Sequence, residues 1–240
     1  MSHSKEQSST GALKTALSTT QIAALRKYST PTVANAIENL IGEKPVGSFT
    51  TAGVSCHFPQ FGVMTGYACT ATSMSAQPPR KPRLFPRRDY WEYVNAAPSP
   101  RVVVMQELSE KPLGAFWGDV HANIHRRLKC EGLITNGLVR DIDEVQAIGF
   151  QFFSSGIGVS HAFAHLEDYN RTVCVFGMTV NSGDLIHADR HGALVIPIEV
   201  ADQVAKACDD LMKEENAIIR LCQSEEFSLD ALDKLVSADY

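Results

Sequence analysis

An alternation of buried strands and helices between residues 100 and 154 constrains the fold more than any other feature of this chain. The run PRVVVMQE is rich in β-branched residues and is typical of a buried strand. It is followed by a helical pattern in GDVHANIHRRLKCEG, a strand in GLITNGL, a short helix in DIDEVQAIG and a strand in FQFFSS. Strands that alternate with helices in this way are usually parallel and joined by helical crossovers. The segment therefore predicts an α/β fold.

The flanking segments complete a single domain over residues 19–240. Helices are predicted in STTQIAALRKYS, with Ser18 or Thr19 as N-cap, and in TPTVANAIENLIG, where Pro31 is early and Gly42 ends the helix. GVMTGYACTATSMS is predicted as strand, residues 171–199 as short strands with turns, and residues 199–223 as a long amphipathic helix. Residues 1–18 are polar and aperiodic, which predicts a disordered tail.

Composition narrows the class of partner. A net charge of −5 over 240 residues argues against a nucleic-acid-binding surface. No apolar run approaches the length of a membrane span, and the N-terminus has no apolar signal core, so we expect a cytoplasmic protein that binds neither nucleic acid nor membrane. The six cysteines form no CxxC pair, which favours reduced structural thiols.

Two short clusters carry the residues best suited to chemistry. In WGDVH, Gly118 precedes Asp119 at a helix start, where free amide groups can bind an anion; the alternative is that Asp119 merely caps the helix. In VRDIDE, Arg140 and Asp141 follow an apolar strand, at the end where open α/β sheets bind ligands. Arg140 suits a carboxylate and Asp141 suits Mg²⁺ or Mn²⁺, with Glu144 one helical turn further on. A capped turn with an internal ion pair is the alternative.

Histidines and one loop leave further possibilities open. His121 and His125 have the i, i+4 spacing of metal ligands, but HANIH lacks the glutamate of the zincin motif, so surface or supporting roles are favoured over zinc. Residues 76–89 hold four prolines and five basic residues, which predicts a loop. This loop is either simply solvated or a lid that attracts an anionic substrate.

Four separated segments together resemble one family. YSTPTVANAIENL, GDVHA, KCEGLITNGLVRDIDEVQAIGFQFFSSG and SGDLIHADRHGALVIP occur in the order found in the RraA-like proteins and 4-hydroxy-4-methyl-2-oxoglutarate (4-carboxy-4-hydroxy-2-oxoadipate) aldolases. The resemblance covers roughly residues 20–210. It implies a swivelling β/β/α fold with a central sheet and helical crossovers, assembled as a homotrimer or a hexamer with sites near subunit interfaces.

The resemblance also implies a site and a reaction. Asp141 would bind Mg²⁺ or Mn²⁺, and Glu144 would act on it through water. Amides around Gly118, Asp119, Val120 and His121 would hold a pyruvoyl carboxylate together with Arg140, and Asp119 would move a proton through water. The substrate would be a 2-oxo di- or tricarboxylic acid, cleaved by retro-aldol chemistry or decarboxylated through a pyruvate enolate.

The chain departs from the family pattern at three places, which keeps two other functions open. His121 replaces a usual aliphatic residue and is a candidate acid or base; residues 77–88 and GVSHAFAHLEDY are unusual and can reshape the pocket. One alternative is therefore a different lyase or hydrolase that uses His121. The other is a non-catalytic regulator, since the family includes inhibitors of the endonuclease RNase E.

Overall fold

Helices and strands cover most of residues 16–79 and 85–236, the parts of the chain that this computed structural model describes. There are seven helices in these residues: α1 (Thr19–Leu25), α2 (Thr30–Ile41), α3 (Arg87–Ala96), α4 (Asp119–Arg127), α5 (Ile142–Ile148), α6 (Val204–Cys222) and α7 (Leu229–Val236). The strands are β1 (Ser55–Cys56), β2 (Met64–Met74), β3 (Arg101–Glu107), β4 (Ala115–Trp117), β5 (Cys130–Thr135), β6 (Leu138–Val139), β7 (Gln151–Ser154), β8 (Gly156–Ile157), β9 (His165–Tyr169), β10 (Val173–Val175), β11 (Met178–Val180), β12 (Leu185–Asp189) and β13 (Gly192–Ile196). A 3₁₀ turn spans Pro59–Phe61.

The central sheet confirms the predicted α/β fold. Its strand order is β1-β7-β5-β3-β2-β12-β13. Strand β9 pairs with the C-terminal part of the long strand β2, whose N-terminal part pairs with β12. Strands β2, β3, β5 and β7 are parallel neighbours. The crossovers between them contain α3, α4 and α5 in turn, as the alternation of patterns in the sequence predicts. Strands β1, β9, β12 and β13 add antiparallel edges.

A second, three-stranded parallel sheet is built from β4, β6 and β8. Each of these short strands follows one strand of the central sheet: β4 follows β3, β6 follows β5 and β8 follows β7. The chain thus forms a strand–strand–helix unit twice, in β3-β4-α4 and β5-β6-α5, and the two sheets with these helices match the β/β/α arrangement that the family resemblance predicts. The sequence interpretation of GLITNGL as one strand is wrong, because its two ends lie in different sheets.

The local signals for helix ends are confirmed at both N-terminal helices. The Ser18 side chain accepts a hydrogen bond from the Gln21 amide, in a capping box at the start of α1. Pro31 lies in the first turn of α2, and Gly42 ends that helix in the left-handed conformation, with φ of 73°.

Two predicted boundaries and one missing helix need correction. The Leu17 amide donates to the Tyr67 hydroxyl at 2.7 Å, so the predicted disordered tail of residues 1–18 overlaps the folded domain at its end, while residues 1–15 lie outside the described chain. Helix α6 begins at Val204 rather than at residue 199, because residues 197–203 form turns. Helix α7 was not predicted at all.

The core lies on both faces of the central sheet. On one face, Trp117, Phe150 and Phe152 pack between the sheet and α3, α4 and α5, and further along the same face α1, α2 and α6 cover β12 and β13. On the opposite face, the paired strands β10 and β11 pack against the sheet. Burying each such large apolar side chain stabilises the fold by roughly 1.5–3 kcal/mol. All six cysteines are free thiols. Within the described residues, no helix has the length and apolar character needed to cross a bilayer.

Two buried histidines are held in their neutral form. The His125 Nδ1–H donates to the His121 carbonyl at 2.7 Å, so its Nε2 accepts from the Tyr90 hydroxyl at 3.0 Å. His187 Nε2–H donates to the Leu25 carbonyl at 3.2 Å, so its Nδ1 accepts from Thr30 at 3.1 Å. Burial lowers the pKa of His125 to about 3 and that of His187 to about 4.

The free energy of unfolding is expected to fall as the pH drops from 7 to 5. Both pKa values in the folded state lie below the ordinary 6.5, so the unfolded chain binds more protons in this range. The stabilisation is fully present above pH 6.5 and is lost as the pH approaches 4, which corresponds to roughly 2 kcal/mol per histidine at pH 5. Urea unfolding at pH 7 and pH 5 measures the loss.

The variant His187→Gln is expected to lose the contribution of one histidine, roughly 2 kcal/mol at pH 5, whereas His161→Gln, which changes an exposed histidine, is expected to keep all of the pH dependence. An equal pH dependence in the wild type and in His187→Gln would contradict this assignment.

Candidate functional site

The site is built where two strands of the second sheet end side by side. Strand β4 ends at Trp117 and leads through Gly118 into α4, whereas β6 ends at Val139 and leads through Arg140 and Asp141 into α5. The Arg140 amide donates to the Trp117 carbonyl at 3.0 Å, which ties the two segments together. The two clusters that the sequence singles out, WGDVH and VRDIDE, therefore meet in space.

Asp141 has an unusual backbone conformation and an unusual side-chain direction. It lies in the left-handed region, with φ of 57° and ψ of 47°, and its side chain does not cap its own helix α5. Instead, its Oδ2 accepts a hydrogen bond from the Asp119 amide at 3.2 Å and lies 3.5 Å from Arg140 Nε. A non-glycine residue in this region costs of order 1–3 kcal/mol, and such strain is typical of functional sites.

Gly118 provides the space that the Asp141 carboxylate occupies. A Cβ atom at position 118 would lie 2.1 Å from Asp141 Oδ2 and 3.2 Å from Arg140 Cγ. The φ of Gly118 is −153°, which other residues also adopt, so the glycine is required here for space and not for its conformational freedom. From the sequence we expected this glycine to admit a ligand; in the structure it admits the protein's own carboxylate.

The first turn of α4 presents backbone donors next to this carboxylate. The Val120 amide donates to Asp119 Oδ1 at 2.7 Å. The Asp119 side chain therefore binds one backbone amide at the start of its own helix, as the capping alternative proposes. The His121 amide has no hydrogen-bond acceptor within residues 16–79 and 85–236. A free amide at the positive end of a helix attracts an anion.

His121 lies beside the turn, with its ring among aromatic side chains. Its ring centroid is 4.7 Å from that of Phe116 and 5.7 Å from that of Trp117. Burial, together with the positive charges of Arg87 and Arg140, lowers the pKa of His121 to about 4. The ring is therefore neutral at pH 7 and can accept or donate one hydrogen bond.

Other residues from the sequence analysis lie further from the turn. Glu144 and Asp143 are exposed in the first turn of α5, and no hydrogen bond or ion pair joins the side chain of either to another described residue. His125 does not form a metal-ligand pair with His121, because both of its ring nitrogens are already engaged and its ring is 6.4 Å from the His121 ring.

A cavity of about 630 Å³ lies next to His121 and was not predicted. Residues 161–167 form one part of its wall, and Phe116, Tyr90 and Trp91 form another. The sequence signal was the unusual segment GVSHAFAHLEDY. The basic loop at residues 77–88 falls partly outside the described chain, since residues 80–84 are not described, and α3 already begins at Arg87. Pro78, Pro79 and Phe85 at the ends of this loop line the cavity.

The sequence pattern that defines the RraA-like family (Aldolase/RraA) matches residues 30–195 of this chain. The chain belongs to the RraA-like family. The match includes α2, both sheets and the turn at Gly118 and Asp141, so the family is identified over the whole of the candidate site.

Individual relatives of this RraA-like chain are distant. It is 27% identical to Protein DlpA of Legionella pneumophila over 114 residues, which make up 47% of this chain and 18% of DlpA. The chain thus spans less than a fifth of that curated relative.

Two solved structures share the RraA-like fold. An uncharacterized protein from Pseudomonas syringae pv. tomato has a TM-score of 0.68 and 21% identity, covering 92% of this chain and 99% of that one. Streptomyces coelicolor RraAS2, described as an unusual member of the RNase ES inhibitor RraA protein family, has a TM-score of 0.66 and 20% identity, covering 85% and 97%. At such identities the similarity shows the fold alone.

Proposed function

We propose that this RraA-like chain is a divalent-metal-dependent lyase that cleaves or decarboxylates a 2-oxo acid through a pyruvate enolate. One observation carries the proposal: the Asp141 carboxylate turns away from its own helix and lies at the start of α4, where it accepts from the Asp119 amide and lies 3.5 Å from Arg140 Nε. A carboxylate, a guanidinium and a helix start in one place provide for both a cation and an anionic substrate.

The donor set fits Mg²⁺ or Mn²⁺. Both described contacts of the Asp141 carboxylate use Oδ2, so Oδ1 is available to a cation. Within the described residues, no group of three or more His, Cys, Asp or Glu side chains gathers around one point. Mg²⁺ commonly uses only one or two carboxylates and keeps several waters, which the exposed Glu144 would hold. When bound, the ion supplies Lewis-acid charge next to the 2-oxo group.

The protein's own groups would bind and orient the substrate. Arg140, whose side chain is 36% exposed, offers a planar pair of donors to a carboxylate. The free amide of His121 offers a further donor to the pyruvoyl carboxylate, whereas the Asp119 and Val120 amides already donate to Asp141 Oδ2 and Asp119 Oδ1. Asp119 would remove the hydroxyl proton through a water molecule, and the neutral His121 would donate or accept a hydrogen bond beside it.

We further propose that the protein assembles as a homotrimer or hexamer and acts in the cytoplasm. Exposed apolar side chains surround the second sheet: Val159 is 98% exposed, Ile157 63% and Val120 62%. Apolar side chains grouped in this way are typical of protein–protein contacts. Size-exclusion chromatography with light scattering measures the assembly state.

Pyruvate release tests the proposed function. With Mg²⁺ or Mn²⁺, we expect pyruvate from oxaloacetate and from 4-hydroxy-2-oxo acids, and we expect EDTA to stop the reaction. Arg140→Gln is expected to raise KM at least about tenfold, because it removes a charged partner of the carboxylate. Arg126→Gln, on the exposed last turn of α4, is the matched control and is expected to change neither constant.

Absence of pyruvate with either metal would contradict the proposal. An activity that survives EDTA but is lost in His121→Leu would favour the different lyase or hydrolase instead.

A further inference from the structure

The cavity beside His121 has the size and lining of a small-molecule pocket. Its volume of about 630 Å³ lies within the range of roughly 300–1,000 Å³ that such pockets span. Five aromatic side chains lie in its described wall, contributed by the segment before α3, by α3, by β4 and by the segment before β9: Phe85, Tyr90, Trp91, Phe116 and Phe163. A pocket with this lining favours an apolar, flat ligand group.

The cavity and the candidate site share the same turn of the chain. Phe116 lies two residues before Gly118, and His121 lies three residues after it, with their rings 4.7 Å apart. Both residues line the cavity. The positive charge of Arg140 contributes to the low pKa of His121, which is consistent with a short distance between the cavity and the site. A substrate held at the first turn of α4 would therefore extend past His121 into the cavity.

The wall formed by residues 160–167 is fixed in place. The Ala115 amide donates to the Ser160 carbonyl at 2.9 Å, and a Cβ atom at Gly114 would lie 2.2 Å from the His161 carbonyl oxygen. His165 binds the Phe163 carbonyl through Nδ1 and Glu167 through Nε2, both at 2.6 Å. The pocket is therefore preformed, which lowers the entropic cost of binding.

Among the described residues of the lining, Glu167 is the only carboxylate and Arg87 the only arginine or lysine. Glu167 is itself a carboxylate and is bound to His165, so it opposes a second one nearby. Arg87 is exposed at the start of α3 and lines the cavity, and its positive charge acts on His121. The other described lining residues are apolar, aromatic or histidine side chains.

We propose that this cavity binds an aromatic arm on C4 of the substrate, so that the proposed lyase acts on a 4-aryl-4-hydroxy-2-oxo acid instead of one with extra carboxylates. The inference rests on the proposed function for the reaction, but the cavity itself can be tested by binding alone. In the reaction the C3–C4 bond breaks and its electron pair passes into the 2-oxo group as the enolate. The C4 hydroxyl loses its proton and becomes the carbonyl of a released aryl aldehyde, and C3 then takes up a proton to give pyruvate.

Two non-cleavable oxo acids test the cavity directly. 2-Oxo-4-phenylbutanoate and 2-oxoglutarate share the 2-oxo acid end and differ only in a phenyl or a carboxylate group on C4. Binding is followed by quenching of tryptophan fluorescence, since Trp91 lines the cavity. We expect a Kd at least about tenfold lower for the phenyl compound. Equal or tighter binding of 2-oxoglutarate would overturn the proposal.

A pair of exposed phenylalanines gives matched variants. Phe163 is 49% exposed in the cavity wall, and Phe227 is 45% exposed between α6 and α7, so neither truncation removes a core side chain. Phe163→Ala is expected to weaken binding of the phenyl compound about fivefold and to leave 2-oxoglutarate unchanged, whereas Phe227→Ala is expected to affect neither. Loss of both ligands to the same extent in Phe163→Ala would contradict a specific role for the cavity.

Kinetics separate this inference from the proposed function. Pyruvate release from 4-hydroxy-2-oxo-4-phenylbutanoate with Mg²⁺ is expected to show a kcat/KM at least about tenfold above that of 4-hydroxy-2-oxoglutarate. If oxaloacetate is decarboxylated but the phenyl acid is not preferred, the inference fails and the lyase remains. If the phenyl ligand binds but no acid releases pyruvate, the lyase fails and the aryl-binding cavity remains.

Discussion

Asp141→Asn is expected to lower kcat/KM for metal-dependent pyruvate formation by about 1,000-fold. Asparagine tolerates the left-handed conformation of this position, with φ of 57°, and its amide oxygen can still accept from the Asp119 amide. The substitution therefore keeps the shape and removes the negative charge that would bind Mg²⁺ or Mn²⁺ in the proposed site. Losing the charge stabilisation that a metal supplies costs several kcal/mol, which corresponds to this factor. Steady-state kinetics, together with Mn²⁺ binding followed by electron paramagnetic resonance, measure the effect.

Asp143→Asn is the matched control for this variant. Asp143 lies two residues further on, is exposed in the first turn of α5, and undergoes the same change of charge. We expect its kcat/KM and Mn²⁺ affinity to stay within about twofold of the wild type. Retention of metal-stimulated activity in Asp141→Asn, or an equal loss in Asp143→Asn, would show that Asp141 does not bind the ion.

The parts of the fold that were predicted correctly depend on signals within a few neighbouring residues. The valines of β3 favour a buried strand wherever they occur, and Ser18, Pro31 and Gly42 cap or end helices through contacts inside one turn. The order of these elements then selects parallel strands and helical crossovers. Such features require no knowledge of distant residues.

The second sheet could not be predicted, because its strands have only two or three residues. Strands β4, β6 and β8 are too short to show a periodic pattern, and they pair only because three crossovers bring them together. The end of β6 was therefore assigned to the central sheet. Arg140 and Asp141 nevertheless meet the turn at Gly118, because they follow a strand in either arrangement, and their roles stay a prediction.

Two further features could not be predicted from the sequence: the direction of the Asp141 side chain and the cavity. Aspartate is common at helix starts, and only the structure shows that this one does not cap its own helix. The cavity joins α3, β4 and the segment before β9, whose contacts arise from the tertiary fold. His121 departs from the family pattern in the sequence, but the aromatic side chains that contact it can be identified only in the folded chain.

Gly118→Ala is expected to lower kcat/KM at least about 100-fold, with a smaller effect on stability. The backbone at this position accepts alanine, but the added Cβ would lie 2.1 Å from Asp141 Oδ2, a distance that no pair of non-bonded atoms tolerates. The carboxylate must rotate away from the Asp119 amide, which removes the bond that holds it at the start of α4. A displacement near 1 Å at a reacting centre can cost about 100-fold in rate. Steady-state kinetics and urea unfolding measure the two effects.

Gly158→Ala separates crowding in the second sheet from displacement of the carboxylate. Its Cβ would meet only side chains, with Leu138 atoms at 3.1 and 3.3 Å, and these can yield by a few tenths of an ångström. We expect both variants to lose about 1–3 kcal/mol of unfolding free energy at most, but only Gly118→Ala to lose activity and Mn²⁺ affinity. Full activity in Gly118→Ala would mean that Asp141 works from another position. An equal loss of activity in both variants would attribute the effect to crowding in the second sheet. The difference between the two activities therefore measures how far Gly118 is needed to position the Asp141 carboxylate.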